Sequence, residues 1–98
     1  MRKTKTKPFD AAEYLETETD MAAYLQAAFE EGDPALIIHA IGNIARARGM
    51  SEIARETGLR RESLYKALSS EGNPEFATVL KVINALGIKL HTEPAHVR

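Results

Sequence analysis

The amino-acid sequence predicts a mainly all-α domain of five to six short helices, with a helix-turn-helix at its centre and a short β-strand near the C-terminus. Three observations lead there. Apolar residues recur at spacings of three and four through most of the chain, the period of one helical face. Gly32, Gly49, Gly58, Gly72 and Gly87 each follow such a run, as helix stops do. Strict alternation of apolar and polar residues, the period of a half-buried strand, is seen in residues 88–92, Ile-Lys-Leu-His-Thr.

With 98 residues the chain favours one domain over residues 1–98, with a modest core. Within it, residues 1–8 read as an arm, 9–33 as an acidic helical segment and 34–93 as the helix-turn-helix core. Hydrophobic residues are 44% and charged residues 28%, the balance of a soluble globular protein. There is no cysteine, which excludes disulfides, thiolate chemistry and zinc–cysteine sites and fits a reducing compartment. No apolar run approaches the ~20 residues of a membrane span. The basic start, MRKTKTKPF, lacks the apolar core of a signal peptide. A cytoplasmic protein with no membrane partner is expected.

The elements follow in order. Lys and Thr alternate over residues 3–7, a possible edge strand that would pair with residues 88–92 of the same or a partner chain. Asp10 is placed to cap a short helix over residues 11–15. Thr17 to Thr19 interrupts the pattern, and Asp20 is the expected cap of the next helix. There Met21, Tyr24, Leu25, Ala28 and Phe29 share a face. Gly32 ends it, and Asp33-Pro34 starts the longest helix, aspartate as cap and proline at the first helical position. That helix runs to Arg48. Its broad apolar band (Leu36, Ile37, Ile38, Ala40, Ile41, Ile44, Ala45) predicts a central helix packed on more than one side.

Ser51 is the expected cap of a helix over residues 52–57, with Ile53 and Ala54 inward. Gly58 makes the turn. A further helix over residues 61–69 turns Leu64, Ala67 and Leu68 inward. Asn73-Pro74 repeats the cap-then-proline start for a last helix over residues 75–86, with Phe76, Val79, Leu80, Ile83 and Leu86 on one face.

Net charge is only −1, yet it is unevenly distributed. Residues 1–9 carry +4 (Arg2, Lys3, Lys5, Lys7). Residues 10–33 carry −8 (Asp10, Glu13, Glu16, Glu18, Asp20, Glu30, Glu31, Asp33) with no base. Residues 34–70 carry +3, six bases (Arg46, Arg48, Arg55, Arg60, Arg61, Lys66) against Glu52, Glu56 and Glu62. An acidic block beside a basic one points to macromolecular partners where the total does not.

Residues 51–69 supply what a helix-turn-helix needs. Ala54 is small where the two helices cross, Gly58 tolerates positive φ in the turn, and Leu59 pins the turn to the core. The outward positions around the start of the second helix are then Arg60, Arg61, Glu62, Ser63, Tyr65 and Lys66, those that enter a major groove. Arginine grips guanine bidentately, Tyr65 and Lys66 suit phosphate, and Glu62 suits a cytosine amino group. Ser51, with the early amides of its helix, is a further phosphate candidate. These seven residues are the expected DNA-binding set. A single unit of this size reads few base pairs, so a two-fold homodimer on a palindromic operator in double-stranded DNA is expected.

The segments FDAAEYL, AAYLQAAFEEGDP, IARARGMSEIARETGL, ESLYKALS, EGNPEF and TVLKVINALGIKL, in that order over about residues 8–92, resemble the probable addiction module antidote family. These are helix-turn-helix antitoxins related to the HigA type, with a lambda-repressor-like fold. The resemblance implies a small dimeric repressor of its own operon. It also implies that the repressor binds and neutralises a RelE/ParE-like toxin encoded beside it, and the acidic segment is a fitting surface for a basic toxin. One departure stands out: family members usually carry a serine-like cap before the recognition helix, and here that position is Arg60.

An enzyme is not expected. His39, His91 and His96 lack the paired spacing of a metal site, no Ser-His-Asp set or phosphate-cradling glycine loop is present, and no cofactor is implied. The alternatives are a stand-alone transcriptional regulator with the same DNA face, and a protein-interaction module that keeps the helix-turn-helix as scaffold.

Overall fold

The computed structural model describes residues 15–95. Five helices follow one another: α1 (Glu18–Glu31), α2 (Pro34–Arg48), α3 (Met50–Thr57), α4 (Arg61–Ala67) and α5 (Phe76–Ala85). The helix expected over residues 11–15 and the arm at residues 1–8 lie outside the described residues, apart from Leu15, which is buried.

α2 is the centre. It packs against α1, α3 and α5, as its broad apolar band predicts. Ala40, Ile41, Ile44 and Ala45 are buried along it. Gly42 is buried too, and for a tertiary reason: a Cβ there would meet the Leu68 carbonyl oxygen at 3.0 Å. The end of α4 therefore lies against bare α2 backbone. The core closes over Leu25, Ile41, Ile44, Ile53, Leu64, Val82, Ile83 and Leu86, all essentially without accessible surface. At about 1.5–3 kcal/mol per fully buried large apolar side chain, this cluster is the main source of stability.

The cap of α1 lies three residues before the expected one. Thr17, not Asp20, is the N-cap, and its hydroxyl accepts from the Asp20 amide at 3.0 Å. Asp20 is the third helical residue, and its carboxylate accepts from the Thr17 amide at 3.3 Å. The two form a capping box, which satisfies two amides at once where a lone aspartate cap would satisfy one. Gly32 closes α1, and Asp33 caps α2 through the Ala35 amide at 3.0 Å with Pro34 at the first position, as expected.

α4 stops at Ala67 rather than Ser69. The Ser69 hydroxyl and amide both donate to the Lys66 carbonyl, at 2.8 and 3.3 Å, and fold the chain into a turn there. Gly72 is then held so close to the end of α4 that a Cβ would stand 2.5 Å from the Lys66 carbonyl oxygen. Residues 73–75 cross from that point, so α5 starts at Phe76 with Glu75 as its cap position, and Asn73 does not cap it. Burial grows along α5. Phe76, expected inward, is 68% exposed, Val79 and Leu80 are half-buried, and Val82, Ile83 and Leu86 are sealed. The N-terminal turn of α5 stands clear of the core.

The expected strand over residues 88–92 is not formed; no strand occurs among the described residues. Its apolar–polar alternation has another origin. The Ile88 amide donates to the Ile83 carbonyl at 3.2 Å and the Gly87 amide to the Asn84 carbonyl at 3.0 Å. With Gly87 at φ +79, this is the Schellman closure of α5, which brings the residue after the glycine back onto the helix and buries Ile88. Residues 89–92 continue without regular secondary structure, and with Leu25, Gln26 and Phe29 of α1 they line a shared depression. The expected partner, residues 3–8, lies outside the described residues.

Gly72→Ala should lower stability by about 1–3 kcal/mol, because the new methyl meets fixed backbone. Thr17→Ala should cost about 1 kcal/mol through loss of the capping box. Urea unfolding of both variants checks the order, Gly72→Ala the larger.

Candidate nucleic-acid interface

α3 and α4 form the helix-turn-helix, and each part of the turn has a local cause. The Gly58 amide donates to the Ala54 carbonyl at 2.9 Å, and Gly58 takes φ +77, a conformation that costs L-residues. Leu59 follows and packs half-buried on the core. Thr57, which no sequence pattern singles out, ties the turn together. Its hydroxyl donates to the Ile53 carbonyl at 2.8 Å and accepts from the Leu59 amide at 3.3 Å.

The beginning of α3 differs from expectation. Ser51 does not cap it. Gly49 ends α2 and precedes α3 at once, at φ +118 and ψ 112, and no side chain caps α3. Met50 is the first helical residue and is buried. Drawing Met50 into the core starts the helix before Ser51 can cap it. Ser51 is therefore the second helical residue, with its side chain exposed.

α4 presents the other predicted residues together. Leu64 is fully buried beneath it and Leu68 follows at 3% exposure, which fixes the opposite face outward. Arg60, Arg61, Glu62, Ser63, Tyr65 and Lys66 are all exposed. Arg60 stands at the N-cap position in extended conformation, φ −74 and ψ 145, and makes no side-chain cap, as its sequence position predicts. The Arg61 guanidinium lies over the Tyr65 ring, 5.7 Å from its centroid. Residues four apart on a helix are neighbours, and cation–π attraction holds the guanidinium against the ring. The i,i+4 spacing of the two is the sequence signal for that pairing, which the reading of separate outward positions does not use.

Ser63 and Lys66 face a shallow depression whose other wall is Glu71, Asn73 and Pro74 of the loop after α4. Asn73, released from capping, stands exposed there as a further polar group beside the helix. Only the position of Gly72 against α4 brings it there, so local sequence carries no signal for it. Arg60, Arg61 and Lys66 against Glu62 leave this face basic. Six acids, Glu16, Glu18, Asp20, Glu30, Glu31 and Asp33, lie exposed on or beside α1, a helix that packs chiefly on α2. The basic and acidic surfaces thus sit on different elements. Among the described residues no group of three or more His, Asp or Glu is placed to hold a metal ion, and no helix is long and apolar enough to cross a membrane.

A family model described as "Probable addiction module antidote protein" matches residues 5–94. The chain belongs to this family. A Haemophilus influenzae protein described as uncharacterised is 51% identical over 87 residues, 89% of this chain and 90% of the relative. No solved structure matches the chain. Membership in the antidote family places the chain in a regulatory class rather than among enzymes.

For this antidote-family chain, the turn chemistry sets a stability prediction. Thr57→Val should cost about 1 kcal/mol, since it removes the hydroxyl that joins Ile53 to Leu59. Amide hydrogen exchange should localise the loss to the Leu59 amide and the start of α4.

Proposed function

We propose that the chain is the antitoxin of a type II toxin–antitoxin module. In this reading it is a homodimeric, sequence-specific DNA-binding repressor of its own operon that also binds and neutralises a RelE/ParE-like toxin. Family membership supports the antitoxin role. The observation that carries DNA binding is the set of exposed cations Arg60, Arg61 and Lys66 on a helix whose other face is anchored by Leu64.

The roles follow from chemistry. Arg61, flattened on Tyr65, offers its outer edge to guanine O6 and N7, a bidentate grip for which guanidinium geometry is suited. Arg60 and Lys66 neutralise phosphates on either side, and Ser63, Tyr65 and Ser51 add hydroxyl contacts to the backbone. Glu62, the one acid among these positions, accepts from a cytosine amino group and penalises other bases. Two copies related by a two-fold axis place their α4 helices in successive major grooves, ~34 Å apart.

The test is a gel shift on the chain's own promoter region at two salt concentrations. Wild-type binding should weaken steeply with salt. Lys66→Ala should weaken binding on all sequences and flatten the salt slope by ~0.9 for each phosphate the side chain no longer neutralises. Arg61→Ala should cost ~1–3 kcal/mol and relax preference at one base pair per half-site. If both variants bind as wild type does, this DNA face is wrong. A stand-alone regulator would behave identically here; it separates from the antitoxin in co-purification with the product of the adjacent reading frame, which only the antitoxin retains.

A further inference from the structure

α1 and α2 leave an open groove of about 200 Å³ between them, lined by Tyr24, Ala27, Ala28, Glu31, Leu36 and Ala40. Its floor is shallow because three of these residues are alanines. Leu36 forms one wall and remains 38% exposed, a large apolar side chain left in water. One end is closed and satisfied internally: the Asn43 amide donates to the Tyr24 hydroxyl at 2.8 Å, and the Arg46 guanidinium donates to the Asn43 side-chain oxygen. The other end opens at the α1–α2 turn, where Glu30, Glu31 and Asp33 are exposed.

That open end is electrostatically lopsided. The last turn of α1 carries no basic residue. Glu30 and Glu31 stand instead where the helix dipole is already negative and where local physics favours lysine or arginine. Nothing nearby in sequence offsets them, since no lysine or arginine occurs between residues 8 and 45. Glu30 takes a neutral donor, the Gln26 amide at 3.0 Å. The groove is also smaller than the ~300–1,000 Å³ of small-molecule sites, and it suits a single anchoring side chain. A second copy of this chain would bring a like-charged surface to the same place, which argues against self-association through it.

We propose that this groove seats a cationic amphipathic helix of the toxin, with one apolar side chain over Ala27 and Ala40 beside Leu36 and lysine or arginine within a turn of it against Glu30, Glu31 and Asp33. The proposal rests on the toxin-binding reading above and names the surface and the chemistry of its partner. The partner's cations supply the positive charge that the end of α1 lacks, and its anchor covers Leu36, the helix-in-groove mode of recognition. The groove's lining residues all belong to α1 and α2 and none to α4, so the proposal has toxin and operator binding the same molecule together.

The test uses the full chain and the purified product of the adjacent reading frame, with affinity measured by calorimetry at low and high salt. Glu31→Lys should weaken binding by about tenfold or more at low salt, with the gap narrowing at high salt as exposed charges are screened. Ala27→Trp, which fills the groove, should weaken binding by about tenfold or more at both. Glu93→Lys, a charge reversal in the C-terminal segment, should change nothing. Both groove variants should keep wild-type circular dichroism and operator affinity, since both positions are exposed and off the DNA face. If the partner binds both variants as tightly as wild type, the groove is not its seat and the toxin reading stands. If wild type does not bind it at all, the toxin reading falls and this proposal with it. Dissociation of a homodimer by Ala27→Trp with toxin affinity unchanged would give the groove to a second copy and overturn the proposal.

Discussion

Leu64 has no accessible surface, and the geometry of the proposed reading helix depends on that burial. α4 has seven residues and no side-chain cap. An isolated helix of that length is far below the ~12–15 residues at which helices become even marginal in water. Its helicity is therefore a tertiary product. Leu64 and Leu68 bury one face, Gly42 lets the α2 backbone meet the end of α4, and Gly58 with Thr57 fixes the angle at which the chain turns into it. Every outward residue of α4 takes its direction from these inward ones.

Among the described residues, two helix ends carry a net charge of the unfavourable sign. Arg60 and Arg61 stand at the N-terminus of α4, where the dipole is positive, and Glu30 and Glu31 stand at the C-terminus of α1, where it is negative. Each placement costs roughly 0.3–1 kcal/mol per charge in the free protein. Elsewhere the same chain obeys the rule: Glu18 and Asp20 open α1, and Arg46 and Arg48 close α2. The exceptions fall on the two surfaces assigned to DNA and to a basic partner. In the proposed complexes both surfaces would be better matched than in the free protein, and they lie on different helices, α4 and α1.

Much of this is legible in the sequence, and the rest is hidden for identifiable reasons. Proline and glycine punctuation places α2 to the residue, because Pro34 and Gly49 each act on the backbone directly. The turn at Gly58, the inward leucines and the uncapped Arg60 are equally local. Ser51 misleads because a serine before a helical run looks like a cap, whereas burial of Met50 decides where α3 starts. Thr17 and Asp20 are both visible, but taken singly they look like a breaker and a cap rather than one capping box. Residues 88–92 alternate like a strand, yet Ile88 is buried by the closure of α5, a feature that periodicity does not distinguish from sheet. Gly42 and Gly72 matter through carbonyls of α4 distant along the chain or around its turn, and no local pattern shows that. The outward face of α4 emerges from the sequence as a set, while the Arg61–Tyr65 pairing within it is signalled only by their i,i+4 spacing.

The central claim is that the charge at the start of α4 is kept for DNA at the expense of the helix. Arg60→Ser tests it most directly, with urea unfolding and operator affinity measured on the same preparation. Restoring a cap should raise stability by about 1 kcal/mol, while operator binding weakens and its salt slope flattens by ~0.9 for the phosphate left without its arginine. A variant that gains stability and binds the operator with unchanged affinity and unchanged salt slope would contradict the account.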